Sequence, residues 1–171
     1  GRVMLAGGPG AGKETAARYI HAQSDRAEAP FVTVNSAAIE PERMEELLFG
    51  PETEGRGIEP GLLEQANGGV IYFDEVADMP LGTQSKILRV LVDQSFQRVG
   101  GVDKVKVDLR VISSSNKDLQ AEIDAGNLRQ ELYHRLNVVP IHVPSLEERR
   151  EDIPLLATHF IESFNQAQGL P

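Results

Sequence analysis

The sequence predicts an α/β fold in which a parallel sheet carries helices on both of its faces. Short apolar runs alternate along the chain with segments whose apolar residues recur at helical spacing, and this alternation is typical of parallel sheets. A glycine-rich stretch, residues 7–12, separates the first apolar run from the first helical segment. A later apolar run ends in two consecutive carboxylates, Asp74 and Glu75. Both features are expected at the carboxyl edge of such a sheet, where ligands bind in open α/β folds.

Five short apolar or β-branched runs are predicted to be the strands. They comprise residues 3–6, 31–34, 70–73, 109–112 and 138–143. Pro140 interrupts the last run, and because proline has no backbone N–H to donate, this strand is predicted at an edge of the sheet. Helices are predicted where apolar residues share one face, at residues 14–23, 44–48, 84–92 and 153–164. Between residues 96 and 107, Gly100 and Gly101 separate two β-prone stretches, which predicts a hairpin.

The composition is that of a globular domain and excludes several classes of function. Among 171 residues, 26 are acidic and 17 are basic, so the formal net charge is −9. This balance argues against extended contact with a nucleic-acid backbone. The chain has no cysteine, so disulfides, thiolate metal sites and thiol nucleophiles are excluded. No apolar run approaches the roughly 20 residues that span a bilayer, and the histidines lack metal-ligand spacing. We therefore expect a cytoplasmic domain with no membrane partner and no zinc site.

The most specific motif is the run Gly7-Gly8-Pro9-Gly10-Ala11-Gly12-Lys13, which matches the phosphate-binding pattern G-x-x-x-x-G-K. Phosphates need a ring of inward-pointing backbone N–H groups, and glycine permits both that backbone path and the close approach of the ligand. The following helix contributes its N-terminal dipole, and Lys13 supplies a positive charge to the outer phosphates. The alternative is a glycine-rich turn with an incidental lysine, which the strand–loop–helix context disfavours.

The two residues after Lys13 depart from the usual phosphate-loop pattern. That pattern places Ser or Thr directly after the lysine to hold Mg²⁺, whereas this chain has Glu14 there and Thr15 one position later. One helical residue corresponds to a rotation of about 100°, so Thr15 is better explained as an ordinary helix residue than as a metal ligand. Glu14 and Thr15 nevertheless complete the segment that is predicted to surround the nucleotide.

Asp74 and Glu75 form the second half of the predicted site. Asp74 is predicted to hold Mg²⁺, directly or through water, and Glu75 to orient and deprotonate the attacking water. A strand that merely exits into solvent would leave the same carboxylates, but the glycine-rich loop earlier in the chain disfavours this alternative. Asn116 follows another strand and is a candidate to reach the γ-phosphate or the water, and Asn35 is a candidate to contact Glu75. Each asparagine alone is more often a strand-end cap.

Several segments together carry a resemblance to a known family. They are residues 7–14 (GGPGAGKE), 31–35 (FVTVN), 48–50 (LFG), 68–75 (GGVIYFDE), 98–101 (RVGG), 128–136 (LRQELYHRL) and 149–153 (RREDI). With these segments the chain resembles the AAA+ domain of bacterial enhancer-binding regulators, the activators of sigma-54 RNA polymerase. In that family glutamate follows the phosphate-loop lysine, so Glu14 agrees with the resemblance. The resemblance implies a P-loop NTPase three-layer fold with strand order 5-1-4-3-2, and ATP or ADP with Mg²⁺ as cofactors.

The resemblance also implies how such a domain works. Arg129 and Arg135 would be supplied in trans to the γ-phosphate held by a neighbouring copy, so the domain would associate into a ring or dimer and hydrolyse ATP. Asn35 would hold Glu75 inactive until nucleotide is sensed. Residues 1–171 would form the ATP-binding core of a longer regulator. A receiver domain addressed by a sensor kinase would precede this core, and a helical lid and a DNA-binding module would follow it.

One loop departs from the family. Between the positions of Gly50 and Gly61, sigma-54 activators carry Gly-Ala-Phe-Thr-Gly-Ala, which grips the sigma factor. This chain reads PETEGRGIEP at 51–60, which is shorter, acidic and without phenylalanine, and an aromatic loop tip is the natural centre of a partner interface. The usual contact with sigma-54 is therefore in doubt, unless the loop is only a trimmed surface turn. This loop, with residues 74–80 and 90–94, most resembles the branch of the family that serves nitrogen control in two-component systems.

Two functions follow from this combination. In the first, the domain is a Mg²⁺-dependent ATPase whose nucleotide state controls ring assembly in a transcription regulator. This function is favoured by five intact residues, Lys13, Asp74, Glu75, Arg129 and Arg135. In the second, ATP or ADP is a structural ligand that tunes self-association, hydrolysis is slight, and the regulator acts through DNA binding alone. The missing contact loop favours this second function.

Overall fold

Strands and helices alternate throughout the part of the chain that the structure describes. The structure is a computed structural model and describes residues 2–10, 12–53 and 57–144, so the helix predicted at 153–164 lies outside it. Among the described residues, no helix is long and apolar enough to cross a bilayer. In chain order the elements are β1 (Arg2–Ala6), α1 (Lys13–Gln23), β2 (Phe31–Asn35), α2 (Pro41–Phe49), β3 (Glu52–Thr53), β4 (Gly57–Ile58), α3 (Leu62–Gln65), β5 (Val70–Asp74), a 3₁₀ helix (Val76–Asp78), α4 (Leu81–Asp93), β6 (Ser95–Gln97), β7 (Lys104–Lys106), β8 (Arg110–Ser115), α5 (Leu119–Asp124), α6 (Gln130–Leu136) and β9 (Val139–His142).

The middle layer is a five-stranded parallel sheet with the order β2-β5-β8-β1-β9. When only these five strands are counted along the chain, the order is 5-1-4-3-2, as the resemblance implies, so the predicted fold is confirmed. β9 pairs with β1 alone, and its Pro140 lies opposite Met4. An edge strand tolerates a residue without an N–H group, and the predicted edge position is confirmed.

Strand alternation divides the apolar core between the two faces of the sheet. Val3 and Leu5 pack on the face that α1 covers, together with Ile20 of that helix. Met4, which lies between them in β1, belongs to the core on the opposite face. That second core includes Met44 of α2 and buried residues of three further helices, namely Leu63 of α3, Ile87, Val90 and Leu91 of α4, and Leu132 and Leu136 of α6. The predicted placement of helices on both faces is therefore confirmed.

The structure corrects the predicted strand at 109–112 and adds elements that the sequence pattern does not show. The strand β8 continues through three serines, which the polar pattern places after the strand, and all three are almost completely buried. Because β8 lies between β5 and β1, its backbone is hydrogen-bonded on both sides and its side chains lie inside the domain. The predicted hairpin is confirmed as the antiparallel pair β6–β7. A second antiparallel pair, β3–β4, was not predicted.

Candidate functional site

The loop between β1 and α1 lies at the carboxyl edge of the sheet. Gly10 and Gly12 have φ angles of 77° and 84°, which glycine adopts readily and other residues do not. Gly12 caps α1, and its carbonyl accepts a hydrogen bond from the N–H of Ala16 at 2.9 Å. A Cβ atom added at Gly8 or Gly10 would meet no protein atom within 4 Å. Packing against the rest of the domain therefore does not demand glycine at these two positions, whereas close approach of a ligand would.

Lys13 begins α1, and its side chain turns back over the loop. Its Nζ donates hydrogen bonds to the carbonyl oxygens of Gly7 at 2.8 Å and of Gly8 at 3.0 Å, and the residue is only 9% exposed. Among the described residues, no carboxylate lies within ion-pair distance of this ammonium group. An ammonium buried without a counter-charge is unfavourable, so this loop would be stabilised by an anion.

The remaining residues of the predicted loop segment are more peripheral. Pro9, Glu14 and Thr15 are exposed, and Glu14 lies 3.7 Å from Arg18 in an i,i+4 pair on α1. The exposure of Thr15 agrees with its interpretation as an ordinary helix residue. Ala11 lies outside the described residues.

Asp74 is the last residue of β5, and a hydroxyl group from the neighbouring strand holds one of its oxygens. The Oγ of Ser114 donates to Asp74 Oδ1 at 3.0 Å. The hydroxyl of Tyr72 donates in turn to Ser114 Oγ at 2.8 Å, and burial raises the pKa of Tyr72. Ser114 was not predicted as a site residue, although the serine run that contains it could have signalled a polar strand facing the site.

Glu75 follows Asp74 in a strained backbone conformation. Its φ and ψ angles are 56° and 60°, the left-handed region that residues other than glycine rarely adopt. Its Oε1 accepts a hydrogen bond from the backbone N–H of Asn116 at 2.8 Å. Its Oε2 is buried and has no hydrogen-bond partner among the described residues. Strain and unpaired buried polar atoms are frequent at functional sites, so Glu75 stays a candidate catalytic residue.

The electrostatic surroundings of Glu75 favour its protonated form. Burial raises its pKa above the ordinary value of 4.5, and the negative charges of Asp74 and Asp78 raise it further. The hydrogen bond from the N–H of Asn116 and the positive charge of Lys13 act in the opposite direction. A carboxylate with a raised pKa accepts a proton more readily than an ordinary one.

The two predicted asparagines are placed differently from the expectation. The Oδ1 atom of Asn35 accepts a hydrogen bond from the N–H of Ala37 at 3.2 Å, so its short side chain closes a turn onto its own backbone. The contact between Asn35 and Glu75 that the resemblance implies is therefore not formed in this structure. Asn116 does contact Glu75, but through its backbone N–H rather than its side chain. A role for either side chain at the γ-phosphate stays a prediction.

The two predicted arginines lie on the surface, outside the cluster around Asp74. Arg129 immediately precedes α6, and its Nε donates to the carbonyl of Leu81 at 3.0 Å. Arg135 lies in the last turn of α6 and borders a shallow cavity of about 360 Å³. Both residues are exposed, as an arginine that acts on a neighbouring copy must be. That action stays a prediction.

Comparison with known proteins agrees with this geometry. Residues 1–142 match the family model described as "Sigma-54 interaction domain". The nitrogen assimilation regulatory protein NtrX of Azorhizobium caulinodans is 55% identical over 170 residues, which are 99% of this chain and 37% of that protein. A crystal structure of NtrX from Brucella abortus in complex with ATP matches with a TM-score of 0.81 and 57% identity, over 98% of this chain and 39% of that one. A complex of the same Brucella protein with ADP also matches, with a TM-score of 0.81 and 56% identity, over 99% of this chain and 38% of that one.

A more distant match shows the fold alone. Hsp104 from S. cerevisiae matches with a TM-score of 0.67 at 17% identity, over 92% of this chain and 31% of that one.

The chain spans well under half the length of the NtrX proteins that it matches. The predicted resemblance, including the nitrogen-control branch, is confirmed.

Proposed function

The chain belongs to the sigma-54 interaction domain family, and from this premise we propose that it binds ATP and ADP with Mg²⁺ and hydrolyses ATP within a two-component transcription regulator. The observation that carries the proposal is the buried ammonium of Lys13, whose hydrogen bonds within the described part of the chain go to two neutral carbonyls of a glycine loop. Phosphate oxygens would replace those carbonyls and supply the missing negative charge. The similar Brucella protein was crystallised with ATP and with ADP, which supports nucleotide as the ligand.

Asp74 fits the role of a magnesium ligand. Its Oδ1 is already held by Ser114, and among the described residues its Oδ2 receives no hydrogen bond. Mg²⁺ at phosphates is commonly held by one or two carboxylates, with water and phosphate oxygens supplying the other ligands, so the absence of Ser or Thr after Lys13 does not prevent binding. The ion would neutralise charge that develops on the phosphates.

In the proposed reaction Glu75 acts as the general base. The N–H of Asn116 fixes Oε1, which leaves the unpaired Oε2 to orient a water and accept its proton.

Arg129 and Arg135 are exposed and would reach the γ-phosphate of a neighbouring copy, so that turnover would require self-association into a ring or dimer. Asn35 would contact Glu75 in another nucleotide state. Sensor-kinase and DNA contacts would belong to other parts of the regulator.

A specific observation favours a second candidate, a nucleotide-binding module that tunes self-association with little hydrolysis. The first described residues of the segment that replaces the family's sigma-54 contact loop are hydrogen-bonded to the β6–β7 hairpin. The N–H of Glu52 donates to Val99 O, and the N–H of Val99 donates to Gly50 O, each at 2.9 Å. Arg98 of the same hairpin also lies 3.6 Å from the carboxylate of Glu52. A loop fastened in this way is poorly suited to follow hydrolysis with a large movement.

Calorimetric titration with Mg-ATP and with ADP tests the proposed site. We expect saturable binding, which Lys13→Ala reduces by at least about tenfold because a charge-assisted contact is lost. Lys104→Ala is the matched control, since Lys104 is an exposed lysine outside the loop, and it should bind as the unchanged chain does. Equal binding by both variants would overturn the Lys13 assignment.

Phosphate release distinguishes the two candidates. The ATPase function predicts turnover whose rate per molecule rises with protein concentration, because the arginines come from a neighbour. Saturable binding with no turnover at any concentration would favour the second candidate.

A further inference from the structure

The cluster around Asp74 contains two hydroxyl groups to which the proposed function assigns no role. We propose that Tyr72 and Ser114 are positioning residues, a hydrogen-bond relay that fixes Asp74 Oδ1 and thereby presents Oδ2 to the magnesium ion. This inference rests on the proposed function, because it concerns the same metal ligand.

The sheet brings the three side chains together. β5 and β8 are parallel neighbours, with Tyr72 opposite Ile112 and Phe73 opposite Ser113. Side chains two residues apart in a strand share a face, so Tyr72 and Asp74 lie on one face of β5. Tyr72 and Ile112 both pack in the core beneath α1, which places Ser114 on that face as well.

Proton counting fixes the direction of the relay. An ionised carboxylate only accepts hydrogen bonds, so the Ser114 hydroxyl uses its single proton toward Asp74. The bond between Tyr72 and Ser114 must then use the tyrosine proton. Both hydroxyl-bearing residues are 0% exposed, so bulk water does not compete for either bond. Successive bonds of this kind polarise and strengthen one another.

The relay matters because Asp74 ends its strand and is only partly buried. Without a hydrogen bond, the Asp74 carboxylate could rotate about its side-chain torsions and sample several orientations, whereas the bonded carboxylate presents its second oxygen in a fixed direction. Partners that orient a metal ligand in this way typically change metal affinity by about 10–100-fold when removed.

The same strand supplies a matched control. Ser113 is adjacent to Ser114 and equally buried at 0% exposure, but its side chain points to the opposite face. Its Oγ has no hydrogen-bond partner among the described residues. Removing this hydroxyl changes the same number of atoms at the same depth without touching Asp74.

The test measures Mn²⁺ affinity by electron paramagnetic resonance in the presence of saturating ADP, and ADP affinity separately in EDTA. We expect Ser114→Ala to weaken Mn²⁺ binding about tenfold. Tyr72→Phe should weaken it about threefold, because Ser114 still donates to Asp74. Ser113→Ala should leave it unchanged. ADP affinity in EDTA should be the same in all variants, which a general loss of structure would not permit.

A double variant, Tyr72→Phe with Ser114→Ala, separates the loss of the relay from a loss of stability. The single Ser114→Ala change leaves the buried tyrosine hydroxyl unpaired, whereas removing both polar groups is nearly neutral for stability. The double variant should therefore keep its melting temperature and still lose Mn²⁺ affinity about tenfold. Mn²⁺ affinity equal to that of Ser113→Ala would overturn the relay. Failure of the unchanged chain to bind ADP both in EDTA and with Mn²⁺ would instead overturn the proposed function.

Discussion

The two regions that most distinguish this domain use their charged groups in opposite ways. At the carboxyl edge of the sheet, the ammonium of Lys13 has no counter-charge among the described residues, and Glu75 Oε2 has no hydrogen-bond partner. The other region is the junction, which we define as the contact of the β3–β4 pair and α3 with the β6–β7 hairpin. There Arg98 makes a two-bond contact with Glu64 and lies 3.6 Å from Glu52. The ammonium at the first region has no ion-pair partner among the described residues, whereas the guanidinium at the second is paired with two carboxylates, of which Glu52 keeps one oxygen without a hydrogen bond.

This difference separates a binding site from a structural contact. Uncompensated polar groups and a strained Glu75 lower stability, and they persist where a ligand or a reaction uses them. Paired charges at the junction fix the position of a loop. We therefore expect changes at the carboxyl edge to alter function more than stability, and changes at the junction to alter stability more than function.

The largest expected effect is on turnover. Glu75→Gln removes the proton acceptor but keeps an oxygen for the N–H of Asn116, so ATP hydrolysis should fall by about 10²–10⁴-fold while nucleotide affinity is kept. Glu64→Gln at the junction is the control and should leave turnover per folded molecule unchanged. Phosphate release and calorimetry measure both quantities. Unchanged hydrolysis in Glu75→Gln would remove Glu75 from the mechanism.

Two glycines with similar φ angles should respond differently to alanine. Gly50 and Gly10 have φ angles of 82° and 77°, but a Cβ at Gly50 would lie 2.3 Å from the carbonyl oxygen of Glu59, whereas at Gly10 it would meet nothing within 4 Å. Gly50→Ala should cost about 3 kcal/mol of unfolding free energy, and Gly10→Ala about 1 kcal/mol from backbone strain alone. Denaturant unfolding measures both costs. Equal costs would contradict the comparison.

Arg98→Ala should destabilise the domain by about 2 kcal/mol, because it leaves Glu64 half-buried without its partner. The side chain of Arg98 is 14% exposed and that of Glu64 is 17% exposed, so solvent replaces little of the lost contact. Arg89→Ala, at an exposed arginine of α4, is the control and should change stability by less than about 0.5 kcal/mol. Nucleotide affinity should be unaffected by either variant. A loss of affinity in Arg98→Ala would show that the two regions are coupled.

The smallest expected effect is a pH dependence of stability at Glu75. Because its folded-state pKa is raised above 4.5, its contribution to stability is fully present below the unfolded pKa and is lost as pH rises through the folded pKa. Glu75→Gln cannot ionise, so it should melt about 2 °C higher than the unchanged chain at pH 7. The difference should shrink as the pH falls below the folded pKa. Thermal denaturation between pH 4 and 8 measures it, and a constant difference would contradict the expected direction.

The sequence by itself determined most strands of the main sheet and the phosphate loop. Apolar runs, glycines and the position of Asp74 after a strand are local patterns, and local backbone preferences follow from them directly. The motifs also determined the family, since they extend over almost the whole chain. The strand order then followed from the family rather than from any pattern within the sequence.

Only the tertiary structure decided which polar groups meet. The sequence pattern predicts that β8 ends before its serines, because serines alone favour a turn. In the structure these serines continue the strand, since β8 is buried between β5 and β1. Glu75 meets the backbone N–H of Asn116 rather than the side chain of Asn35. Such partners depend on which strand lies alongside and in what register. The local sequence pattern determines the position of a side chain along its strand. Its contacts are determined by residues distant in the sequence, which the fold brings alongside.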